Sequence, residues 1–230
     1  MTESAIAPTA LVTPLAAQLI AAAKPPQLVE YRCVQTPLEL DAPATETAAL
    51  TAGVAVHDLG WMRRVAVRGE DRFRWLSGMV SNTVQDLASH RGAWNLVLNA
   101  QGRIQGDLTV WREGDQLELE IAADQVDRLL AHFERFIIMD DVELVPLTSE
   151  AAFGLTGQAA DQVLARLGLP VLSEPMTSTR VEWNGMDIRL VRGFGGLSHN
   201  YALWVPLPQL SKLWKYLRTV GAALVGSAAL

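Results

Sequence analysis

The sequence is poor in the residues that mark several classes of protein. A single cysteine, Cys33, among 230 residues excludes an intrachain disulfide framework and a cysteine-cluster metal site, and it fits a reducing, cytoplasmic setting. The four histidines, His57, His90, His132 and His199, are scattered, with no two at metal-ligand spacing, so no metal centre is expected. Positive charge is in deficit. Nineteen Lys and Arg against 25 Asp and Glu give a net charge of -6, and a field of that sign argues against general nucleic-acid binding. No apolar run is long enough to span a bilayer. The stretch from Leu11 to Ala23 is broken by Pro14 and Gln18 and follows acidic Glu3, where a signal peptide carries Lys or Arg, so it reads as a short helix starting at Pro14. The P-loop, the Gly-x-Gly-x-x-Gly fingerprint, His-Glu-x-x-His and Gly-x-Ser-x-Gly are all missing.

Half of the residues are apolar, enough for one sizeable core or two small ones. Residues 1–52, rich in proline from Pro25 to Pro43, suit a helix followed by an extended arm. From there the periodicities sharpen. Met62 to Arg68 alternates as a strand, Gly69 punctuates it, and Glu70 to Met79 has helical spacing. Strands follow at Ala93–Leu98, Gly102–Trp111 and Gln116–Ala122, then a helix capped by Asp124 and a strand from Ile137 to Val145. Residues 148–230 repeat the order. Ala151–Thr156 is a strand, Gly157 stands where Gly69 stood, and Gln158–Gly168 is a helix. Three strands and a helix from about Pro208 close the repeat. The pattern predicts an α+β fold with antiparallel sheets: two ferredoxin-like halves, 53–147 and 148–230, around a central cleft. One larger mixed sheet with helices on one face is the alternative. Strands joined by short turns leave no room for parallel pairing on this reading.

One strand stands out chemically. A period of two puts Asp107, Thr109 and Trp111 on one face and Ile104, Leu108 and Val110 on the other. Asp is depleted in strands, and a carboxylate in a sheet must be solvated, hydrogen-bonded or paired. If that face lines a cleft, Asp107 accepts an N–H from a bound amine or ring nitrogen, and Trp111 with Trp94 supplies flat walls. If it faces water, it needs no ligand. Arg63, Arg64, Arg68, Arg72 and Arg74 crowd one strand and the following helix. They suit either phosphate contacts or, more simply, a solvated face with local ion pairs.

Four blocks carry a resemblance: Gly53 to Met62 (GVAVHDLGWM), Val67 to Asp71 (VRGED), Leu76 to Asn82, and Leu98 to Leu108 (LNAQGRIQGDL). In this order they resemble the folate-binding aminomethyltransferase fold that joins the glycine-cleavage T-protein (GcvT) to the YgfZ proteins. Gly102-Arg103 and Gly106-Asp107 resemble the YgfZ branch, folate-binding regulators linked to tRNA modification and iron–sulfur maintenance. The resemblance implies tetrahydrofolate or a one-carbon derivative as ligand. It implies Asp107 facing the reactive nitrogens, pocket positions at Met62, Trp94, Thr109 and Trp111, an aromatic wall at Phe194, and Arg192 as the charge for the glutamate tail. Two acidic positions of the family are absent here, where Gly195-Gly196-Leu197 and Tyr201-Ala202 stand. The Lys-Gly-Cys motif of the YgfZ branch is also absent from the sequence, as in a member shortened at its C-terminus. Three readings follow: a folate-binding regulator serving tRNA-modification or iron–sulfur proteins, a folate-dependent aminomethyltransferase in which Asp107 is the catalytic residue, and a scaffold whose cleft binds nothing.

Overall fold

The computed structural model describes residues 11–20, 25–194 and 199–230. The chain opens with β1 (Leu11–Val12), α1 (Pro14–Ile20), β2 (Leu28–Tyr31) and β3 (Val34–Pro37), in which β1 runs parallel to β3 and β2 returns antiparallel to it. The helix α2 (Pro43–Ala52) starts on a proline, whose missing N–H costs nothing in a first turn. Buried Glu46 fastens this helix by accepting the backbone N–H groups of Leu40, Asp41 and Gly226. The expected extended arm is therefore a small sheet and a helix, with the prolines at strand and helix ends.

After β4 (Ala55–Asp58), two sets of elements follow in one order. The first is β5 (Met62–Arg68), α3 (Arg72–Met79), β6 (Arg91–Leu98), β7 (Ile104–Glu113), β8 (Gln116–Ala122), α4 (Ala123–Glu134) and β9 (Glu143–Leu147). The second is β10 (Glu150–Thr156), α5 (Ala160–Leu167), β11 (Thr177–Trp183), β12 (Met186–Arg192), β13 (Asn200–Pro206), α6 (Leu210–Thr219) and β14 (Ala223–Val225). The spatial order is β6-β7-β8-β5-β9 in the first set and β11-β12-β13-β10-β14 in the second, with β4 inserted between the last two. One register pair, Thr177 with Arg91, joins the two half-sheets into eleven strands. Gly69 and Gly157 hold equivalent places. Both have positive φ, and in both a Cβ would collide with a backbone carbonyl, of Asp141 and of Gly53 respectively, so only glycine fits.

Strand alternation sorts the side chains into two outer cores and an inner layer. Val65, Val67, Leu117, Leu119 and Ile121 pack under Trp75 and Leu76 of α3 and Leu129 and Phe133 of α4. Phe153, Leu155, Ile188, Leu190 and Leu203 pack under Val163 and Leu164 of α5 and Leu213, Trp214 and Leu217 of α6. The opposite faces of the half-sheets meet each other through Trp111, Ala152, Val191 and Trp204. Beside them lies a buried ionic network. Arg64 of β5 binds Glu118 of β8 and, across the halves, Glu150 of β10, with its guanidinium over the Trp204 ring. Arg189 of β12 is fully buried; it donates Nε to Glu113 at 2.9 Å and lies over the Trp111 ring. Burial alone pushes the Glu113 carboxyl up, but the Arg189 charge and hydrogen bonds from Ser178 and His90 outweigh it and hold it below the ordinary carboxylate range.

Several expectations are corrected. β14 pairs with β4 in parallel, and so does β1 with β3; neither pair is consecutive in the chain, since the other elements of both halves lie between β4 and β14, and α1 and β2 lie between β1 and β3. Asp124 lies inside the first turn of α4 and forms no cap; the N-cap is Ala122. The strand expected from Ile137 begins only at Glu143, because the apolar residues before it belong to a loop in which Ile138 and Met139 are exposed. Ile104, at the hairpin end beside a register shift, is exposed while Leu108 and Val110 are core. The arginine cluster does not share a face. Arg64 is interior, Arg63 and Arg72 donate to backbone carbonyls, and Arg74 bridges Asp71 and Asp140. Among the described residues no helix is long and apolar enough to cross a membrane.

Candidate functional site

Where the inner faces of the half-sheets diverge, they enclose a cavity of about 410 Å3, within the range of small-molecule sites. Its apolar walls include Met62 of β5, Trp111 of β7, Val191 of β12 and Met176. Trp94 of β6 and Phe194, half and three-quarters exposed, stand at its rim as flat surfaces with little else to pack on. Thr109, Glu120 and Asn200 add polar groups. The alternation of β7 is what brings Thr109 and Trp111 inward while Leu108 and Val110 fill the outer core. Trp111 can lie flat because its cross-strand partner is Gly92, where a Cβ would meet the indole at 2.6 Å. The Trp111 Nε1 donates to Glu120 Oε2 at 2.5 Å.

Asp107 lines an adjoining recess of about 150 Å3, which shares Trp61, Met62, Thr109 and Glu120 with the main cavity. Its carboxylate accepts Trp94 Nε1 at 3.2 Å on one oxygen and Gln125 Nε2 at 3.1 Å on the other. Gln125, from the first turn of α4, closes the pair by accepting the Asp107 backbone N–H. Gly106 leaves room for this approach, since a Cβ there would meet Gln125 Oε1. The carboxylate is thus fixed and half-buried beside one indole, and two of its roughly four acceptor positions are used.

The structure brings Met62, Trp94, Thr109, Trp111 and Phe194 around the cavity and Asp107 into the recess beside it. It does not bring Arg192 there. That guanidinium donates to the Leu172 carbonyl and lies by the Tyr201 ring, because the alternation of β12 gives the cavity Val191 instead. The cation at the recess is Arg32 of the β2–β3 turn, lying over Trp61 and 3.4 Å from Asp124. Sequence reasoning missed Arg32, Glu120, Gln125 and Asn200. The alternation of β8, with Glu118 and Glu120 opposite Leu117 and Leu119, was the available signal for Glu120. Residues 195–197, where one family acid is absent, lie outside the described residues, whereas Ala202 lines the cavity and offers no carboxylate. Deeper in the same inner layer, His57 of β4 contacts Thr156 Oγ1 at 3.1 Å, and Thr156 donates to Asn200 at the cavity wall. Among the described residues no group of three His, Cys, Asp or Glu side chains could hold a metal ion.

Fold and cavity together define an α+β protein of two topologically matched halves that close on an aromatic-walled cavity with a carboxylate recess. Residues 17–229 match the GCVT N-terminal domain, and the chain belongs to that family. An aminomethyltransferase of Bordetella parapertussis is 27% identical over 226 residues, covering 94% of this chain and 60% of its own length. One from Rubrobacter xylanophilus is 26% identical over 208 residues, covering 88% of this chain and 55% of its own. The chain thus spans little more than half the length of these relatives. Among solved structures, the glycine cleavage system aminomethyltransferase T of Bartonella henselae superposes with a TM-score of 0.83 at 20% identity, over 96% of this chain and 60% of that one. This last likeness bears on the fold.

Proposed function

We propose that the central cavity binds a tetrahydrofolate-type ligand and that the chain is the ligand-binding part of a one-carbon transferase of the aminomethyltransferase kind. The observation that carries this is the pairing of a ring-walled cavity with a fixed, half-buried carboxylate, Asp107, in the recess that opens from it. The residues fit such a ligand. Trp111, Met62 and Val191 offer apolar faces to a fused ring, Trp94 and Phe194 flank the rim, and Arg32 supplies positive charge near the surface for a carboxylate tail. Bound tetrahydrofolate supplies two nitrogens able to carry a one-carbon unit. The chain's own residues then act by position. Trp94 and Gln125 hold the Asp107 carboxylate in one orientation, where its remaining lone pairs accept an N–H from a reacting nitrogen and steady the positive charge that develops as the carbon is passed. The indoles and Met62 limit water around that nitrogen.

The names of the relatives favour transfer over the regulatory reading. Gly102-Arg103 and Gly106-Asp107 support the YgfZ-type reading, in which the same cavity binds folate for tRNA-modification or iron–sulfur proteins. The two half-sheets with their shared strand order are read here as two ferredoxin-like halves, each extended by one strand. Calorimetric titration with tetrahydrofolate under anaerobic conditions tests binding, with Asp107→Ala and Trp94→Ala expected to weaken it. Binding unchanged in both variants overturns the site. Release of an aminomethyl or formaldehyde-derived carbon to tetrahydrofolate separates transfer from regulation.

A further inference from the structure

We infer that Glu120 is the residue that selects the ligand, by accepting an N–H from the amino-substituted edge of a planar heterocycle in the main cavity. The inference rests on the folate reading and names the group that reads the ring. Among the described residues lining the main cavity, Glu120 is the one acidic or basic side chain in a wall otherwise apolar or neutral. It is 9% exposed, in the middle of β8, and borders both the cavity and the Asp107 recess. The cations of the neighbouring ionic network face other acids. Arg64 holds Glu118 and Glu150, and Arg189 holds Glu113. Among the described residues no cation lies within ion-pair distance of Glu120 itself, and its one protein hydrogen bond is the Trp111 indole N–H on Oε2.

A buried carboxylate that takes one hydrogen bond, from an indole, and feels the Arg64 charge only beyond ion-pair distance has acceptor capacity to spare, and a neutral acceptor would serve that N–H at far lower desolvation cost. What the carboxylate adds is a fixed acceptor at the cavity wall, oriented by Trp111 on one oxygen and with no protein hydrogen bond on the other among the described residues. A ring amine or ring N–H is the complement, and an exocyclic amine on a flat ring meets both the charge and the aromatic walls. Asp107 and Glu120 then divide the work. The first faces the reacting nitrogens and the second reads the far edge of the ring.

The test compares tetrahydrofolate with its 2-desamino analogue on the wild-type chain and on Glu120→Gln, by calorimetric titration. Wild type is expected to bind tetrahydrofolate about 10- to 100-fold more tightly than the analogue, and Glu120→Gln to lose most of that margin, as for a hydrogen bond to a charged group. Equal binding of the two ligands by wild type overturns the inference while leaving the folate reading in place. So does a variant that still discriminates fully. Wild type that binds neither ligand overturns the folate reading and this inference with it. The comparison of ligands on wild type stands even where the variant fails to fold.

Discussion

His57 offers a direct test of the inner layer. It is buried on β4, its Nε2 is 3.1 Å from Thr156 Oγ1, and its ring occupies the space that a Cβ on Gly154 would need. Burial pushes its pKa down to about 4, with the Asp58 backbone opposing only in part. The folded state therefore holds the neutral imidazole, while the unfolded chain takes up a proton near its ordinary value of 6.5. Stability from this group is complete above that value and is lost as pH falls toward the folded pKa. Between pH 7 and pH 5 the loss is about 2 kcal/mol. The variant His57→Phe keeps a ring against Gly154 and gives up the Thr156 contact, costing about 1 kcal/mol at neutral pH, but it removes the titration. Urea unfolding of both proteins at the two pH values reads the difference, and carboxylates common to both cancel. Parallel loss of stability in wild type and variant between the two conditions would refute a neutral, buried His57.

Removing Arg64 takes the hydrogen-bonding cation from buried Glu118, which keeps only Arg189 at 3.9 Å, whereas half-buried Glu150 keeps Arg180 at 3.5 Å, so Arg64→Ala is expected to destabilise by about 3 kcal/mol in urea unfolding. Arg64→Met, which withdraws the charge but refills the volume, should be milder only when Glu118→Gln accompanies it. Gly92→Val places a Cβ 2.6 Å from the Trp111 ring and forces the indole aside, with an expected cost of about 1–3 kcal/mol and weaker tetrahydrofolate binding. A Gly92→Val chain as stable as wild type and with unaltered indole fluorescence would contradict the packing described for Trp111.

The repeated order of elements was legible in the sequence because each half carries its own hydrophobic periods and its own punctuating glycine. Strand β5 begins and ends at the residues read from alternation, Met62 and Arg68. The N-terminal region was read as an arm because its strands are only two to four residues long, too short for period two to declare itself. The parallel pairing of β14 with β4 joins segments far apart in sequence, and no local pattern announces it. Half of the site followed from one strand, β7, whose alternation separates Asp107, Thr109 and Trp111 from the core. The rest depended on tertiary placement. Gln125 reaches Asp107 from a helix, Arg32 arrives from the first sheet, and Arg192 is drawn to a carbonyl that its sequence neighbours do not reveal.

A crystal structure of the protein grown with tetrahydrofolate tests the central claim most directly. The fused ring is expected between Met62, Trp111 and Val191, with a reactive nitrogen within hydrogen-bond distance of Asp107. Ordered ligand anywhere outside this cavity, with the cavity itself holding only solvent, would contradict it.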